Sequence, residues 1–204
     1  MKNLLYKEFC LTIHPLFYLM PLFGALVLIP QWPYFLALMY FFFITAPNVF
    51  SVSKTQNDIG FSVILPVSRH DVVKARVTSF ILLELLQIFV TVVFATINVA
   101  LYPQGNFLLD ANVAFVGCVF VMFGIFNVIY LPMFYKTAYK IGIPLIIALS
   151  AAFIFAASVE LLVLYVPAAK FLDGTAYTAA HFAVLAGGIV IFALLNIAAF
   201  KISV

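Results

Sequence analysis

Six long runs of apolar residues fill most of the chain, and polar residues are concentrated in the segments between them. The runs cover residues 9–29, 34–50, 77–101, 113–134, 141–166 and 179–200. A helix needs about 20 predominantly apolar residues to cross the hydrocarbon core of a bilayer, and even the short second run suffices if its helix has little tilt. Backbone amides cannot stay unpaired in hydrocarbon, and barrel strands would alternate over about ten residues instead. The pattern therefore predicts an all-α integral membrane protein with six transmembrane helices.

The amino-acid composition supports a membrane protein over a soluble helical bundle. Apolar residues make up 67% of the 204 residues and charged residues only 8%, whereas charged residues are about 25% of an average soluble domain. Six buried helices of a soluble protein would need a polar outer shell that this composition does not supply. The segments between the runs are short, so residues 1–204 are interpreted as a single transmembrane domain.

The distribution of Lys and Arg predicts the orientation in the membrane. Nine of the ten cations lie before the first run, between the second and third, between the fourth and fifth, or after the sixth. Lys170 is the exception, and it lies in the opposite set of loops. Because cationic loops are retained in the cytoplasm, both termini are predicted to be cytoplasmic. Residues 103–110 and 168–178 are then predicted to lie on the outer side.

The sequence shows no sign of a catalytic chemistry of its own. It contains no GxxxxGK[ST] phosphate loop, no HExxH and no GxSxG. His14, His70 and His181 are scattered and predict no metal site. Cys10 and Cys118 are predicted at opposite depths, which argues against a disulfide between them. The chain is therefore predicted not to be an enzyme and to hold no cofactor itself.

Residues 51–76, between the second and third runs, form the one polar segment long enough to have structure of its own. Ser68 and Asp71 have the spacing of a capping box, which predicts a helix that begins there and continues into the third span. Pro66 disfavours helical conformation in the residue before it. Asn57 or Asp58 would cap a short apolar helix ahead of this break.

A short apolar helix in the cytoplasm must cover its apolar face. It would either lie on the bilayer surface or dock into a groove on a partner protein, as amphipathic helices do. The residues alone leave both alternatives open.

Polar residues inside the predicted spans are candidates for function. Glu84, Gln87, Thr91 and Asn98 fall within about 60° of one another on the third span at 100° per residue. Because a carboxylate in the bilayer centre costs several kcal/mol, this stripe is not expected to face lipid. It would line a translocation path, or join the helix to a neighbour or to a second subunit; both alternatives stay open.

The fifth and sixth spans contain small residues at four-residue steps, which predicts close packing of these helices. The fifth span also contains an acidic residue, Glu160, nearer the predicted outer side. The small residues are Ala152 and Ala156 in the fifth span, and Ala179, Ala183 and Gly187 in the sixth.

Several motifs resemble the permease subunits of ABC-2 type exporters. They are Lys-Glu-Phe at residues 7–9, His-Pro at 14–15, Asn-Asp at 57–58, and Leu-Pro-Val-Ser-Arg-x-Asp-Val-Val-Lys-Ala-Arg at 65–76. More narrowly, the chain is similar to small bacterial permeases that include the membrane subunit of the phenol-soluble-modulin peptide exporter. The resemblance extends over essentially the full length, with residue-level similarity concentrated in residues 4–15 and 57–76.

The resemblance implies a coupling helix after the second span that sits on a separate ATPase subunit. Residues 57–67 would form this coupling region, with Phe61 and Leu65 as anchors. ATP and Mg²⁺ would be bound by the ATPase, and two ATPase subunits would act with two permease subunits, identical or related. The resemblance also implies a broken, re-entrant fifth helix near Glu160. The full candidate coupling set is Asn57, Asp58, Phe61, Leu65, Pro66, Val67, Arg69 and Asp71.

The sequence thus predicts the permease subunit of an ATP-driven exporter in the bacterial plasma membrane. Amphipathic or hydrophobic peptides, or other lipophilic substrates, would move by alternating access. The alternative is a stand-alone membrane protein, such as a secondary transporter or a peptide-immunity protein. A proton-coupled carrier usually has paired ionisable residues at mid-membrane, whereas Glu84 and Glu160 are predicted at different depths. These residues and His181 are also too scattered for an intramembrane protease.

Overall fold

The structure is a computed structural model that describes residues 2–55, 68–102, 106–137, 140–174 and 178–204. These residues form helices and short connections, and no strand occurs among them, which confirms the all-α prediction. The α-helices of the described residues are α1 (Lys2–Lys7), α2 (Tyr34–Tyr40), α3 (Ala46–Thr55), α4 (Arg69–Leu101), α5 (Val113–Lys136), α6 (Gly142–Tyr165) and α7 (Ala179–Ser203). The π-helical turns are Glu8–Thr12 and Phe41–Thr45, and the 3₁₀ segments are Pro15–Tyr18, Met20–Leu28 and Pro167–Leu172.

The first predicted span is not one straight helix, which corrects the prediction for residues 9–29. Asn3–Cys10 and Pro15–Leu28 form a pair of helical segments bent by 96°. The backbone of His14 is extended, as expected for a residue that precedes proline, and Pro21 removes a backbone donor from the second segment. The described residues therefore contain five helices long enough to cross a membrane, or six if the bent pair counts as one span.

Helix α4 begins where the capping box predicts, eight residues before the apolar run. The Ser68 hydroxyl accepts a hydrogen bond from the backbone N–H of Asp71 (3.1 Å) and donates to the Asp71 carboxylate (2.7 Å). At about 1.5 Å per residue, the 33 residues of α4 make a helix about 50 Å long. Because the hydrocarbon core is about 30 Å thick, the N-terminal turns of α4 extend beyond it.

Helix α5 lies at the centre of the bundle, and aromatic rings join it to the second span. The rings of Phe42 and Phe126 stack with centroids 3.9 Å apart. Two turns further on, Phe50 meets Phe134 edge to face at 4.7 Å. All four side chains are fully buried. Such aromatic pairs add about 0.5–1.5 kcal/mol each beyond the area that they bury.

Helices α5 and α7 approach closely at glycine, but not at the glycine that the four-residue pattern predicts. A Cβ atom on Gly117 would lie 2.6 Å from the Val184 carbonyl oxygen, and Gly188 packs against the Gly117 backbone. Gly187 has open space at its Cβ position, and Ala179 and Ala183 are also exposed. A shift of one residue turns a helix face by about 100°, so the predicted stripe of the sixth span faces away from the chain. Ala152 and Ala156 of α6 are buried, as predicted.

The connecting segments lie at two opposite ends of the bundle, sorted as the charge pattern predicts. At one end, the Asn106 side-chain amide donates to the Trp32 carbonyl (3.1 Å), and the backbone N–H of Asp110 donates to the Asp173 carboxylate (3.3 Å). At the other end, Arg76 contacts Glu8, and the rings of His70 and Phe200 lie 5.1 Å apart. The cation-poor loops therefore lie together and the cation-rich segments lie together, while the orientation in the membrane stays a prediction.

Cysteine labelling tests this orientation. In a background with Cys10→Ser and Cys118→Ser, we expect a membrane-impermeant thiol reagent to label Phe107→Cys and Lys170→Cys in intact cells, because both residues are exposed at the cation-poor end. A reporter fused after Val204 should report cytoplasm. Asp110 would be a poor label site, since only 6% of it is exposed. Labelling of a cysteine at Val204 from outside the cell would contradict the predicted topology.

Candidate functional site

An apolar groove runs between the second and fifth spans of the described bundle. Its wider part has a volume of about 580 Å³ and is lined by Leu36, Met39, Phe43, Ile146, Leu149, Ser150, Phe153 and Ile154. A second part of about 220 Å³ shares Leu36, Met39 and Phe153 with the first and continues towards Leu108, Ala156, Ala157 and Glu160. The floor of the groove is closed by Met39, which is 2% exposed, while Phe43 and Phe153 are 54% exposed at its rim.

Glu160 is the acidic residue of this groove. Its carboxylate lies at the end nearest the cation-poor loops and accepts a hydrogen bond from the backbone N–H of Leu109 (2.9 Å). The groove therefore combines an apolar wall with one acidic side chain at its end. The sequence analysis identified Glu160 but did not predict the groove, because most other residues that line the groove belong to long apolar runs.

The fifth span is continuous near Glu160. Helix α6 runs from Gly142 to Tyr165 without a break, and the chain turns only afterwards, where Pro167 opens the 3₁₀ segment. The break implied by the family resemblance is therefore not found within this helix. Pro167 sits at the first position of a helical turn, where its missing N–H costs nothing, so it ends α6 rather than interrupting it.

The polar stripe of the third span faces the interior of the chain. Glu84, Gln87, Thr91 and Asn98 are each at most 5% exposed, which agrees with the expectation that they do not face lipid. A Cβ atom on Gly24 would lie 2.8 Å from the Thr91 hydroxyl, so the 3₁₀ segment of the first span packs directly on this stripe.

The end of the stripe nearest the cation-poor loops, at Asn98, hydrogen-bonds to residues of the first and second spans. The Asn98 side-chain amide donates to the Val27 carbonyl (2.8 Å), and the Tyr34 hydroxyl donates to Asn98 Oδ1 (3.4 Å). Residue 98 is thus separated by more than 60 positions from both of its partners. Its hydrogen bonds satisfy the Val27 carbonyl at the end of a segment that lacks regular α-helical bonding.

Glu84, at the other end of the stripe, connects through Asn127 to Asn196, and the sequence analysis singled out neither asparagine. Asn127 Nδ2 donates to Glu84 Oε2 (2.6 Å) and to Asn196 Oδ1 (2.9 Å). Both asparagines are buried. They are isolated polar residues in long apolar runs, and such residues in membrane spans mark sites of function or helix pairing, so the signal was present in the sequence.

The candidate path residues do not form a single site. Glu84, Gln87, Thr91 and Asn98 lie between helices of one chain, while Glu160 lies in the groove between α2 and α6. Within the described residues, the stripe therefore has the contacts of helix packing and Glu160 has the position of a cavity residue. Lining of a translocation path by either set stays a prediction.

A buried ion pair joins the N-terminal segment to α4 at the cation-rich end. Arg76 Nη2 lies 3.1 Å from Glu8 Oε1, and Arg76 Nε lies 3.2 Å from Glu8 Oε2. Both side chains are at most 3% exposed. A bidentate arginine–carboxylate pair fixes geometry as well as charge. Sequence reasoning used Arg76 as a topology signal and as part of a family motif, but did not pair it with Glu8, which lies 68 residues away.

Most of the candidate coupling residues lie outside the described residues. These are Asn57, Asp58, Phe61, Leu65, Pro66 and Val67. Arg69 is the first residue of α4, and Asp71 forms the helix cap with Ser68. Asp71 therefore has a structural role at the start of α4, and its part in coupling stays a prediction.

The cation-poor loops are tied together by acidic and amide side chains. The Asp110 carboxylate accepts hydrogen bonds from the backbone N–H groups of Asn106 (2.6 Å) and Gly174 (3.1 Å). The pKa of Asp110 lies above its ordinary value. Burial of the carboxyl group is the main cause and the charge of Asp173 adds to it, while the two backbone donors act in the opposite direction. The Asn112 side-chain amide donates hydrogen bonds to the Leu172 and Gly174 carbonyls. These hydrogen bonds hold the two cation-poor loops against each other.

Comparison with models of protein families gives a match over nearly the whole chain. A family model described as "ABC-2 family transporter protein" matches residues 3–204. No curated protein and no solved structure matches the chain. The family match extends over both the groove and the polar stripe.

Proposed function

Because the chain belongs to the ABC-2 transporter family, we propose that it is the membrane-spanning permease subunit of an ATP-driven exporter in the bacterial plasma membrane. A separate ATPase subunit binds ATP and Mg²⁺ and supplies the energy. The substrates are amphipathic or hydrophobic peptides, or lipids and other lipophilic molecules. The single observation that supports this substrate class is the apolar groove between α2 and α6, with Glu160 at its end.

The composition of the groove fits a lipophilic substrate. Its walls are aliphatic and aromatic side chains, with Ser150 as a polar residue of the wider part. Pockets for drug-sized ligands have volumes of about 300–1,000 Å³ and are mostly apolar with a few polar groups. A helical segment of an amphipathic peptide would place its apolar face on Met39 and Phe153 and a cationic or amide group near Glu160.

A second permease subunit completes the path. Only 28% of the most apolar stretch of α6 and 22% of that of α7 are buried inside the chain, against 67% for α5. The groove opens on the side where α6 is exposed. Two permease subunits, identical or related, that face each other across their grooves would shield the substrate from lipid during transport.

The coupling step is assigned to residues 57–67 and to α4. This helix starts next to the coupling region and is continuous to Leu101, so a push at its beginning moves the helix as a unit. The Glu8–Arg76 pair makes the N-terminal segment follow the same movement. ATP-driven closure of the ATPase subunits would in this way reach the spans that surround the path.

A stand-alone proton-coupled carrier is supported less well. Glu84 contacts Asn127, whereas Glu160 contacts the Leu109 backbone at the outer end. The two carboxyl groups belong to separate surroundings, and a carrier that passes protons between them would need them to meet.

A tryptophan substitution in the groove tests the proposal. Ser150→Trp fills the wider part of the groove and is expected to lower peptide-stimulated ATP hydrolysis by about tenfold, the effect of losing about 1.4 kcal/mol of substrate binding. The matched control is Ser158→Trp, two turns along the same helix on a surface outside the groove. The measurement is hydrolysis by the permease–ATPase complex in lipid nanodiscs with and without peptide. Equal stimulation in both variants would contradict a substrate site in the groove.

A further inference from the structure

Three helices meet at a fully buried network of one carboxyl and two amide side chains. Glu84 of α4 and Asn127 of α5 are 0% exposed, and Asn196 of α7 is 7% exposed. Asn127 Nδ2 donates to Glu84 Oε2 at 2.6 Å and to Asn196 Oδ1 at 2.9 Å. The network is separate from the groove and from the ion pair at Arg76.

The hydrogen bonds fix the orientation of both amides. Asn196 Nδ2 donates to the Phe192 carbonyl (2.9 Å), so Asn196 Oδ1 is the atom that faces Asn127. Asn127 must then present its Nδ2, and the two hydrogens of this nitrogen go to Glu84 and Asn196. Asn127 Oδ1 is left without a donor.

Two buried atoms of the network have no hydrogen-bond partner among the described residues, and they belong to the same pair of side chains. They are Glu84 Oε1 and Asn127 Oδ1. Both are acceptors if Glu84 is ionised, and neither can then satisfy the other. A buried acceptor without a donor costs about 1–3 kcal/mol. One proton on Glu84 Oε1 turns that atom into the donor that Asn127 Oδ1 needs.

We propose that Glu84 is a proton-binding site: a neutral carboxylic acid that forms a two-bond pair with the Asn127 amide. Oε1–H donates to Asn127 Oδ1 while Asn127 Nδ2 donates to Oε2. The second hydrogen of Nδ2 holds Asn196. The proton thus completes a hydrogen-bond network that joins the third, fourth and sixth spans. At Glu84, the polar stripe therefore acts in helix packing.

Within the described residues, no Lys or Arg lies beside Glu84 to hold it ionised. The side chains one turn along α4 and α5 are Gln87 and Tyr130, both neutral and fully buried. Arg76 lies eight residues before Glu84, about 12 Å along the helix, and is bound to Glu8. The other described basic residues of these three helices lie near helix ends: Arg69, His70, Lys74, Lys136, His181 and Lys201. An ionised Glu84 would therefore be a buried charge that has the Asn127 amide but no cation to compensate it, and burying such a charge is costly.

Infrared spectroscopy with isotope-labelled glutamate tests the proposal directly. The chain contains only three glutamates, Glu8, Glu84 and Glu160, so ¹³C-labelled carboxyl groups give a spectrum of three sites. In the purified full chain at neutral pH, we expect a protonated-carboxyl C=O band that disappears in Glu84→Gln. Glu160→Gln is the matched control and should leave this band in place.

The remaining variants test the pairing. Glu84→Gln keeps one donor and one acceptor towards Asn127, so we expect its melting temperature to equal that of the wild type. Asn127→Leu removes the pairing amide and should shift the Glu84 band. If Glu84→Gln instead removes carboxylate intensity, or fails to fold, Glu84 is not a neutral acid and the proposal is wrong. If the Glu84 band has the same frequency in Asn127→Leu as in the wild type, the proton does not pair with the Asn127 amide, and the proposal is also wrong.

Discussion

Replacing Arg76 by methionine is expected to destabilise the protein by about 3–5 kcal/mol. The substitution keeps most of the side-chain volume but removes the cation that contacts the Glu8 carboxylate at 3.1 and 3.2 Å. Because Glu8 is 2% exposed, its charge would stay buried next to an apolar side chain. A loss of this size corresponds to a melting temperature lower by about 6–20 °C for a protein of this length, measurable in detergent by tryptophan fluorescence.

A double variant separates the charge from the packing. Glu8→Leu together with Arg76→Met removes both charges, and buried ion pairs replaced by apolar residues of similar volume are often neutral in stability. We therefore expect the double variant to recover most of the loss. Equal destabilisation of the single and double variants would mean that the segment is held by packing, and the role assigned to the ion pair would be wrong.

Truncating Phe61 and Leu65 to alanine is expected to uncouple the permease from its ATPase. The two residues are four positions apart and share one face of any helix before Pro66. If that face docks on the ATPase, each truncation removes an apolar anchor worth about 1–3 kcal/mol of association. Neither residue lies in a predicted span, so membrane insertion should not change. Pull-down of the ATPase and substrate-stimulated hydrolysis measure the two consequences.

The control for this pair is Ile202→Ala. Ile202 is 47% exposed in the last turn of α7, at the same end of the bundle, and its truncation also removes apolar surface. It should leave ATPase binding unchanged. A Phe61→Ala/Leu65→Ala variant that binds and couples like the wild type would place the segment on the bilayer surface, which is the alternative left open by its sequence.

Features that depend on local sequence were predicted well. The Ser68–Asp71 cap appears where its spacing places it, because the hydrogen bonds of a cap join residues within one turn. The burial of the third-span stripe also follows from its own periodicity and from the cost of polar groups in lipid. The bend in the first span was missed although His14-Pro15 was visible, because an apolar run was interpreted as one continuous helix.

Features that depend on distant residues were not predictable from a single sequence. Glu8 and Arg76 are 68 residues apart and Asn127 and Asn196 are 69 apart, and nothing local pairs them. The close approach of α7 to α5 falls on Gly188 rather than Gly187, a choice made by the rotation of the whole helix. The groove has the same origin, since its walls come from two spans whose apolar residues look alike in the sequence.

The most direct test of the account is ATP hydrolysis by the reconstituted complex. The chain is co-purified with its candidate ATPase, placed in lipid nanodiscs, and given an amphipathic helical peptide. The account predicts a stable complex whose hydrolysis the peptide stimulates, and loss of that stimulation in Phe61→Ala/Leu65→Ala with Ile202→Ala unaffected. A chain that purifies without any ATPase, or an ATPase whose rate is the same with and without the chain and the peptide, would contradict it.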